Sequence, residues 1–282
     1  MSEVTGILRG TEDASVGARG KGEQTTVPLD RFDNREKDAF EGYDEVTASR
    51  AHEWLARLSQ KLRVEVRGLE NVPRGRALLV ANHPFGWDIA LAVNAIHAAT
   101  GRRVWTLGEH LWWVIPGLRK LAAKVGVVDG TPENVDRLLQ ADELVLVLPG
   151  GLREAVKPRE LRYRLLWGHR YGFVRAAIRN RAPIVPVASF GADELFDFVG
   201  DPYARGARWL KKPRFPVPLP RRLLPIPHRV HLAYAIGEPI PADLPLEAAG
   251  DPVALRRRRR EVEGALHELI EDELARRAGM SM

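Results

Sequence analysis

The chain has 282 residues, 45% hydrophobic and 28% charged, with 43 Lys or Arg against 37 Asp or Glu and a formal net charge of +6. That length and apolar content suffice for one large domain with a substantial core. The absence of cysteine excludes disulfides, thiol nucleophiles and zinc-thiolate centres.

Residues 1–44 mix Gly, Thr, Asp, Glu and Arg without periodicity and read as a disordered polar tail. They hold no apolar core of the kind a signal peptide needs. No run of about 18 apolar residues occurs anywhere, so no transmembrane helix is expected. Val46, Ala51, Trp54, Leu55, Leu58 and Leu62 recur at helical spacing, which predicts an amphipathic helix over 45–62 with its apolar face on the core. The alternation at 64–67 reads as a short strand, ended by Gly68 and Pro73. The run Ala77-Leu78-Leu79-Val80-Ala81 reads as a buried strand, and 88–100 as a buried helix stopped by Gly101. Between them lies Asn82-His83-Pro84-Phe85-Gly86-Trp87-Asp88.

Residues 104–107 are a further strand candidate. Trp112 and Trp113 sit in an apolar stretch with Arg119, Lys120 and Lys124 behind it, a pattern that suits a membrane–water interface or core packing. Thr131-Pro132-Glu133 is a helix start with cap, first-turn proline and acid, for a helix that ends near Ala141. The uninterrupted apolar run 144–148 suits a central parallel strand and leads into Pro149-Gly150-Gly151-Leu152-Arg153-Glu154-Ala155. A helix around 173–178 precedes another apolar strand at 183–190. Strands alternating with helices argue for a single α/β domain over 45–282, with a mostly parallel central sheet flanked by helices.

From Pro202 to Arg229 there are eight Arg or Lys, no Asp or Glu, and seven prolines, which precludes a regular helix. Trp209, Lys211, Lys212, Arg214 and Phe215 combine positive charge with large apolar groups, which an anionic membrane surface attracts. Nucleic acid would be attracted by the same charge, and a plain solvated loop also fits. A last strand is read at 230–236. The C-terminal helix at 251–277 has its apolar stripe on Val262, Leu266, Leu269, Ile270 and Leu274. Its Arg256–Arg260 run reads as a solvated face.

Chemistry concentrates at two turns. A histidine at a strand end and a carboxylate at the next helix start form a common α/β site. The His-x4-Asp spacing of His83 and Asp88 lets the carboxylate fold back on the imidazole, hold one nitrogen protonated and leave the other as a base. A half-buried histidine beside a capping aspartate is the plainer reading. In the second turn, Gly150 and Gly151 can aim consecutive amides at one anion, and Arg153 adds a guanidinium that forks onto phosphate. A tight turn with no ligand is the plainer reading there. The eight histidines show no metal-ligand spacing such as His-Glu-x2-His, and no metal is expected.

Together these stretches carry a resemblance. Asn82-His83-x4-Asp88 resembles the first motif of the PlsC-like glycerolipid acyltransferases. Pro149 to Ala155 resembles the glycine motif of the branch holding the diacylglycerol acyltransferase 2-like and transmembrane-protein-68-like proteins. Leu166-Trp167-Gly168-His169-Arg170-Tyr171-Gly172-Phe173 resembles a segment of that branch, and Pro183-Ile184-Val185-Pro186-Val187 the family's fourth motif. The four motifs come in family order and span roughly 64–240.

The resemblance implies a glycerol-3-phosphate acyltransferase-like fold and acyl transfer from acyl-CoA or acyl carrier protein to a lysophospholipid or acylglycerol hydroxyl. It implies no bound cofactor. His83 would be the general base and Asp88 its orienting partner, with Asn82, Gly150, Gly151, Arg153 and Glu154 around the substrate. The third motif here lacks the Glu-Gly-Thr-Arg order of phosphatidate-forming enzymes, and Asp129 stands where the second motif usually ends in arginine. Both departures weaken lysophosphatidic acid as acceptor.

Membrane contact is assigned to Trp112, Trp113, Trp209, Lys211, Lys212, Arg214 and Phe215, as a peripheral protein on the cytoplasmic face, with no nucleic-acid partner expected. A thioester or ester hydrolase using the same His/Asp pair, and a non-catalytic lipid-binding protein, remain alternatives. A working base must be neutral, and the unperturbed histidine pKa of about 6.5 predicts loss of activity in mild acid.

Overall fold

The computed structural model describes residues 42–83, 88–108, 118–195 and 230–280, together with 200, 202, 205 and 208. Helix α1 (Glu45–Leu62) begins where the Asp44 carboxylate accepts the Thr47 amide at 2.8 Å and stops at Arg63, whose φ of 51° breaks the helix. Strands β1 (Glu65–Arg67) and β2 (Ala77–Ala81) follow, then α2 (Ile89–Thr100), closed by Gly101 at φ 68°. Next come β3 (Val104–Gly108), α3 (Leu118–Lys124), β4 (Val127–Asp129), α4 (Pro132–Gln140) and β5 (Leu144–Val147). Thr131 caps α4 as its sequence indicates, accepting the Asn134 amide at 3.2 Å. The short α5 (Gly151–Ala155), α6 (Gly172–Arg179), β6 (Ile184–Phe190), β7 (Ala233–Ile236) and the long α7 (Pro252–Met280) complete the order.

Among the described residues seven strands form one sheet, in the order β1-β7-β6-β2-β5-β3-β4. Every neighbouring pair is parallel except β6 with β7. The physical reason for the uninterrupted apolar strands is that both faces are covered. Along β2, Leu78 and Val80 point into one cluster with Leu138, Val174, Ile178 and Leu266, from α4, α6 and α7. Ala77, Leu79 and Ala81 point into the other, with Ile89, Leu91 and Ile96 of α2. The mostly parallel α/β sheet flanked by helices is therefore present.

Three local readings differ. Residues 42–44, assigned to the polar tail, belong to the packed body: the Tyr43 ring lies 5.5 Å from Trp105, the Arg103 guanidinium stacks 3.8 Å over Tyr43, and the Asp44 amide donates to the Lys124 carbonyl at 3.1 Å. In α1, Ala48, Leu55 and Leu58 face the core, whereas Val46 and Trp54 are 61% and 60% exposed. The helix is rotated from the face its large residues suggested. The last strand is shorter than 230–236, starting at Ala233. Residues 109–117 and most of 202–229 lie outside the described residues, and with them Trp112, Trp113, Trp209, Lys211, Lys212, Arg214 and Phe215.

Candidate active site

The three central strands end together. Register pairs Val80 with Val147 and Ala81 with Val187, so the residues after β2, after β5 and at the end of β6 share one edge of the sheet. The carboxyl ends of parallel strands are where α/β proteins place ligands.

Asn82 is buried and makes two bonds to one residue: its Nδ2 donates to the Ser189 carbonyl at 3.0 Å and its Oδ1 accepts the Ser189 amide at 2.7 Å. The side chain thus imitates a strand and clamps the end of β2 to β6. Assigned to the substrate by sequence, its amide is spent inside the protein. The Ser189 hydroxyl in turn donates to Asp88 Oδ2 at 2.7 Å, and the buried Tyr234 hydroxyl donates to the Asp88 carbonyl at 2.7 Å. Burial, with the nearby Asp88 charge, pushes the Tyr234 phenol well above its ordinary range, so it stays a donor.

His83 is half-buried, but its Nδ1 is sealed and has no hydrogen-bond partner. Burial, with the nearby Lys157 and Arg170 cations, lowers the imidazole to about 4. The ring is therefore neutral at pH 7. The shifted value lies below the 6.5 of an unperturbed histidine, which moves the expected loss of activity in acid to lower pH. Residues 84–87, between His83 and Asp88, lie outside the described residues. His83 and Asp88 both stand at this edge, yet the carboxylate here is bonded by Ser189, not by His83 Nδ1.

Glu154, with 0% exposure, ties the turns together. Its Oε1 accepts the His83 amide at 2.7 Å and its Oε2 the Leu166 amide at 2.8 Å. Burial raises its carboxyl, while Lys157 and the two amides oppose the rise. Lys157 is itself buried in an ion pair with Asp193 at 2.9 Å, and it donates to the Arg164 carbonyl at 3.3 Å. Asp193 also accepts the Tyr163 amide at 2.6 Å. Arg170 donates to the carbonyls of Pro149 and Gly150, each at 2.6 Å.

The glycine turn does not supply the two-amide cradle read from sequence, because the Gly151 amide donates to the Leu148 carbonyl at 3.1 Å. Gly151 has φ 53°, in the region glycine favours. Arg153 is exposed on α5. Sequence reasoning passed over Ser189, Tyr234, Lys157, Asp193 and Arg170. Two carried a usable signal: Ser189, a hydroxyl next to the C-terminal end of the apolar run 184–190, and Arg170, inside the 166–173 segment that carries the resemblance. Among the described residues no group of three or more His, Asp or Glu could hold a metal ion, and no helix is long and apolar enough to cross a membrane.

The family model named Acyltransferase matches residues 63–189, from just before β1 to Ser189. Residues 63–189 are an acyltransferase-family domain. The acyltransferase domain thus holds His83, Asp88, the glycine turn, Glu154 and Ser189, while Asp193 and Tyr234 reach the site from beyond it. An uncharacterized protein of Mycobacterium tuberculosis is 39% identical over 204 residues, 68% of this chain and 56% of that protein. A human protein named "DGAT1/2-independent enzyme synthesizing storage lipids" is 33% identical over 184 residues, 64% of this chain and 54% of its own length. The chain thus spans about half the length of these relatives. The crystal structure of a 1-acyl-sn-glycerophosphate (LPA) acyltransferase, PlsC, from Thermotoga maritima superposes with TM-score 0.52 at 18% identity, covering 80% of this chain and 79% of that one. At that identity the likeness is one of fold.

Proposed function

We propose that this chain is a membrane-peripheral O-acyltransferase that moves a fatty acyl group from acyl-CoA or acyl carrier protein to a lipid hydroxyl. The observation that carries the reading is His83: a neutral imidazole at the carboxyl edge of the sheet, inside an acyltransferase-family domain, with Asp88 at the same edge. With Nδ1 enclosed, Nε2 is the nitrogen left to meet a substrate. His83 Nε2 takes the proton of the acceptor hydroxyl as its oxygen attacks the thioester carbonyl carbon. The tetrahedral intermediate collapses, the C–S bond breaks, and the leaving thiolate recovers the proton from the imidazolium. The products are an ester and a free thiol, with no covalent enzyme intermediate. As charge develops on the ring, Nδ1–H gains a reason to bond Asp88, the role assigned to that carboxylate.

An acylglycerol is favoured over lysophosphatidic acid as acceptor. The altered third motif supports this, as does the storage-lipid name of the human relative. Peripheral attachment is assigned to 109–120 and 202–229, on their tryptophans and excess of basic residues. Deletion of 205–224 that leaves liposome binding intact would refute that part.

The test is release of free CoA from palmitoyl-CoA with liposomes and a panel of lysophosphatidic acid, other lysophospholipids, monoacylglycerol and diacylglycerol. Release is expected to need one acceptor, and His83→Ala is expected to reduce it by about 10²–10⁴-fold. Release without any acceptor would instead make the protein a hydrolase.

A further inference from the structure

We propose that Glu154 is a positioning residue, whose buried carboxylate fixes the main chain of His83 against the glycine turn, and that no substrate touches it. The proposal rests on the acyl-transfer reading for its kinetic consequence and not for its structural one.

A glutamate three residues after a Gly-Gly turn invites the reading that it faces a substrate. The structure places it otherwise. Glu154 is wholly enclosed, and each of its oxygens already accepts one main-chain amide. Those amides lie 71 and 12 residues away in the chain, so one side chain joins the end of β2, the short α5 and the loop before α6. Each is a charge-assisted bond, the stronger class for an amide donor.

Gly150 is a second, independent sign. A Cβ built there would lie 2.0 Å from Glu154 Oε2 and 2.5 Å from Glu154 Cβ. The glycine read from sequence as an anion cradle is needed because the glutamate folds back against it. With the Gly151 amide also committed, the turn is shaped to seat Glu154.

The third sign is how the charge is kept. A carboxylate this enclosed is destabilised by lost hydration unless compensated. Lys157 is buried beside it and paired with Asp193, and Arg170 sits on the carbonyls of Pro149 and Gly150. Two anions and two cations therefore share the region behind the His83 peptide. Such a cluster does no proton transfer itself, since neither Glu154 nor the Lys157–Asp193 pair is open to solvent. Its product is a fixed origin for the imidazole, and a misplacement of about 1 Å in a catalytic group can cost roughly 10²-fold in rate.

The experiment uses the full-length, uniformly ¹⁵N-labelled protein and Glu154→Gln. Glutamine offers one carbonyl oxygen where two amides need acceptors, so at least one of the His83 and Leu166 amide resonances must lose its downfield, carboxylate-bonded shift. The His83 resonance is identified in a second sample labelled with ¹⁵N only at histidine, where it is the one amide signal missing from His83→Ala. In the transfer assay kcat should fall by about 10²-fold, with KM for donor and acceptor unchanged. Glu154→Asp, which keeps the charge but is one methylene short, should recover part of kcat. If both amide resonances stay where they are in Glu154→Gln, the proposal is overturned. A rise in KM at constant kcat overturns it too, since that is the mark of a substrate contact. A wild type that transfers no acyl group defeats the acyltransferase reading and leaves the amide shifts to decide this one.

Discussion

Acid should weaken this protein through His83 in a window that the structure defines. The unfolded chain binds a proton at His83 near pH 6.5. The folded chain resists until about pH 4, because burial, and then Lys157 and Arg170, disfavour the imidazolium. Above 6.5 both states are neutral there and the group contributes nothing to the pH dependence. Between the two values the unfolded state binds more protons, so stability falls as pH falls. At about 1.4 kcal/mol per pH unit, the full descent removes roughly 3 kcal/mol, a large part of a typical folding free energy. Urea denaturation of wild type and His83→Gln between pH 7.5 and 4.5 isolates this contribution from the carboxylates that titrate in both. The wild type should lose most of that amount relative to the variant. The pH profile of kcat/KM, which reports the free enzyme, should stay flat to about pH 5. Parallel stability curves, or an acid limb at 6.5, would show that the half-buried His83 ring is not shielded from protonation and would refute the argument.

Lys157→Met leaves Asp193 buried without its partner and should cost about 3–5 kcal/mol in urea denaturation, with Lys157→Met/Asp193→Leu recovering much of the loss. Gly150→Ala forces a methyl group into the Glu154 carboxylate and should cost about 1–3 kcal/mol, lowering acyl transfer in parallel; an unchanged midpoint and rate would contradict the close approach. Ser189→Ala removes a hydrogen bond to the Asp88 carboxylate and should cost about 1–3 kcal/mol, with a fall in kcat that Ser189→Thr partly restores.

What was legible in the sequence was what short-range patterns encode. The apolar runs 77–81, 144–148 and 183–190 read as buried strands, and strands occupy Ala77–Ala81, Leu144–Val147 and Ile184–Phe190. Thr131-Pro132 and Gly101 fixed helix ends, because capping is decided within one turn. His83, Asp88, Gly150, Gly151 and Glu154 were legible as residues, because their motifs are contiguous. Their contacts were not. The exposure of Trp54 depends on how α1 rolls against α2, because the apolar arc is wider than the contact and leaves Val46 and Trp54 at its uncovered edge.

By itself, then, the sequence determined an α/β sheet, the order of its elements, and a histidine turn and a glycine turn following two central strands. The tertiary structure alone decided what each polar group does. Ser189 meets Asp88 across 101 residues, Tyr234 meets it across 146, and Glu154 meets His83 across 71. No local pattern encodes such pairings. They follow from strand order and register, which bring β2, β5 and β6 to one edge. They follow also from the cost of burying an unpaired polar group, which makes each of these side chains find a partner there.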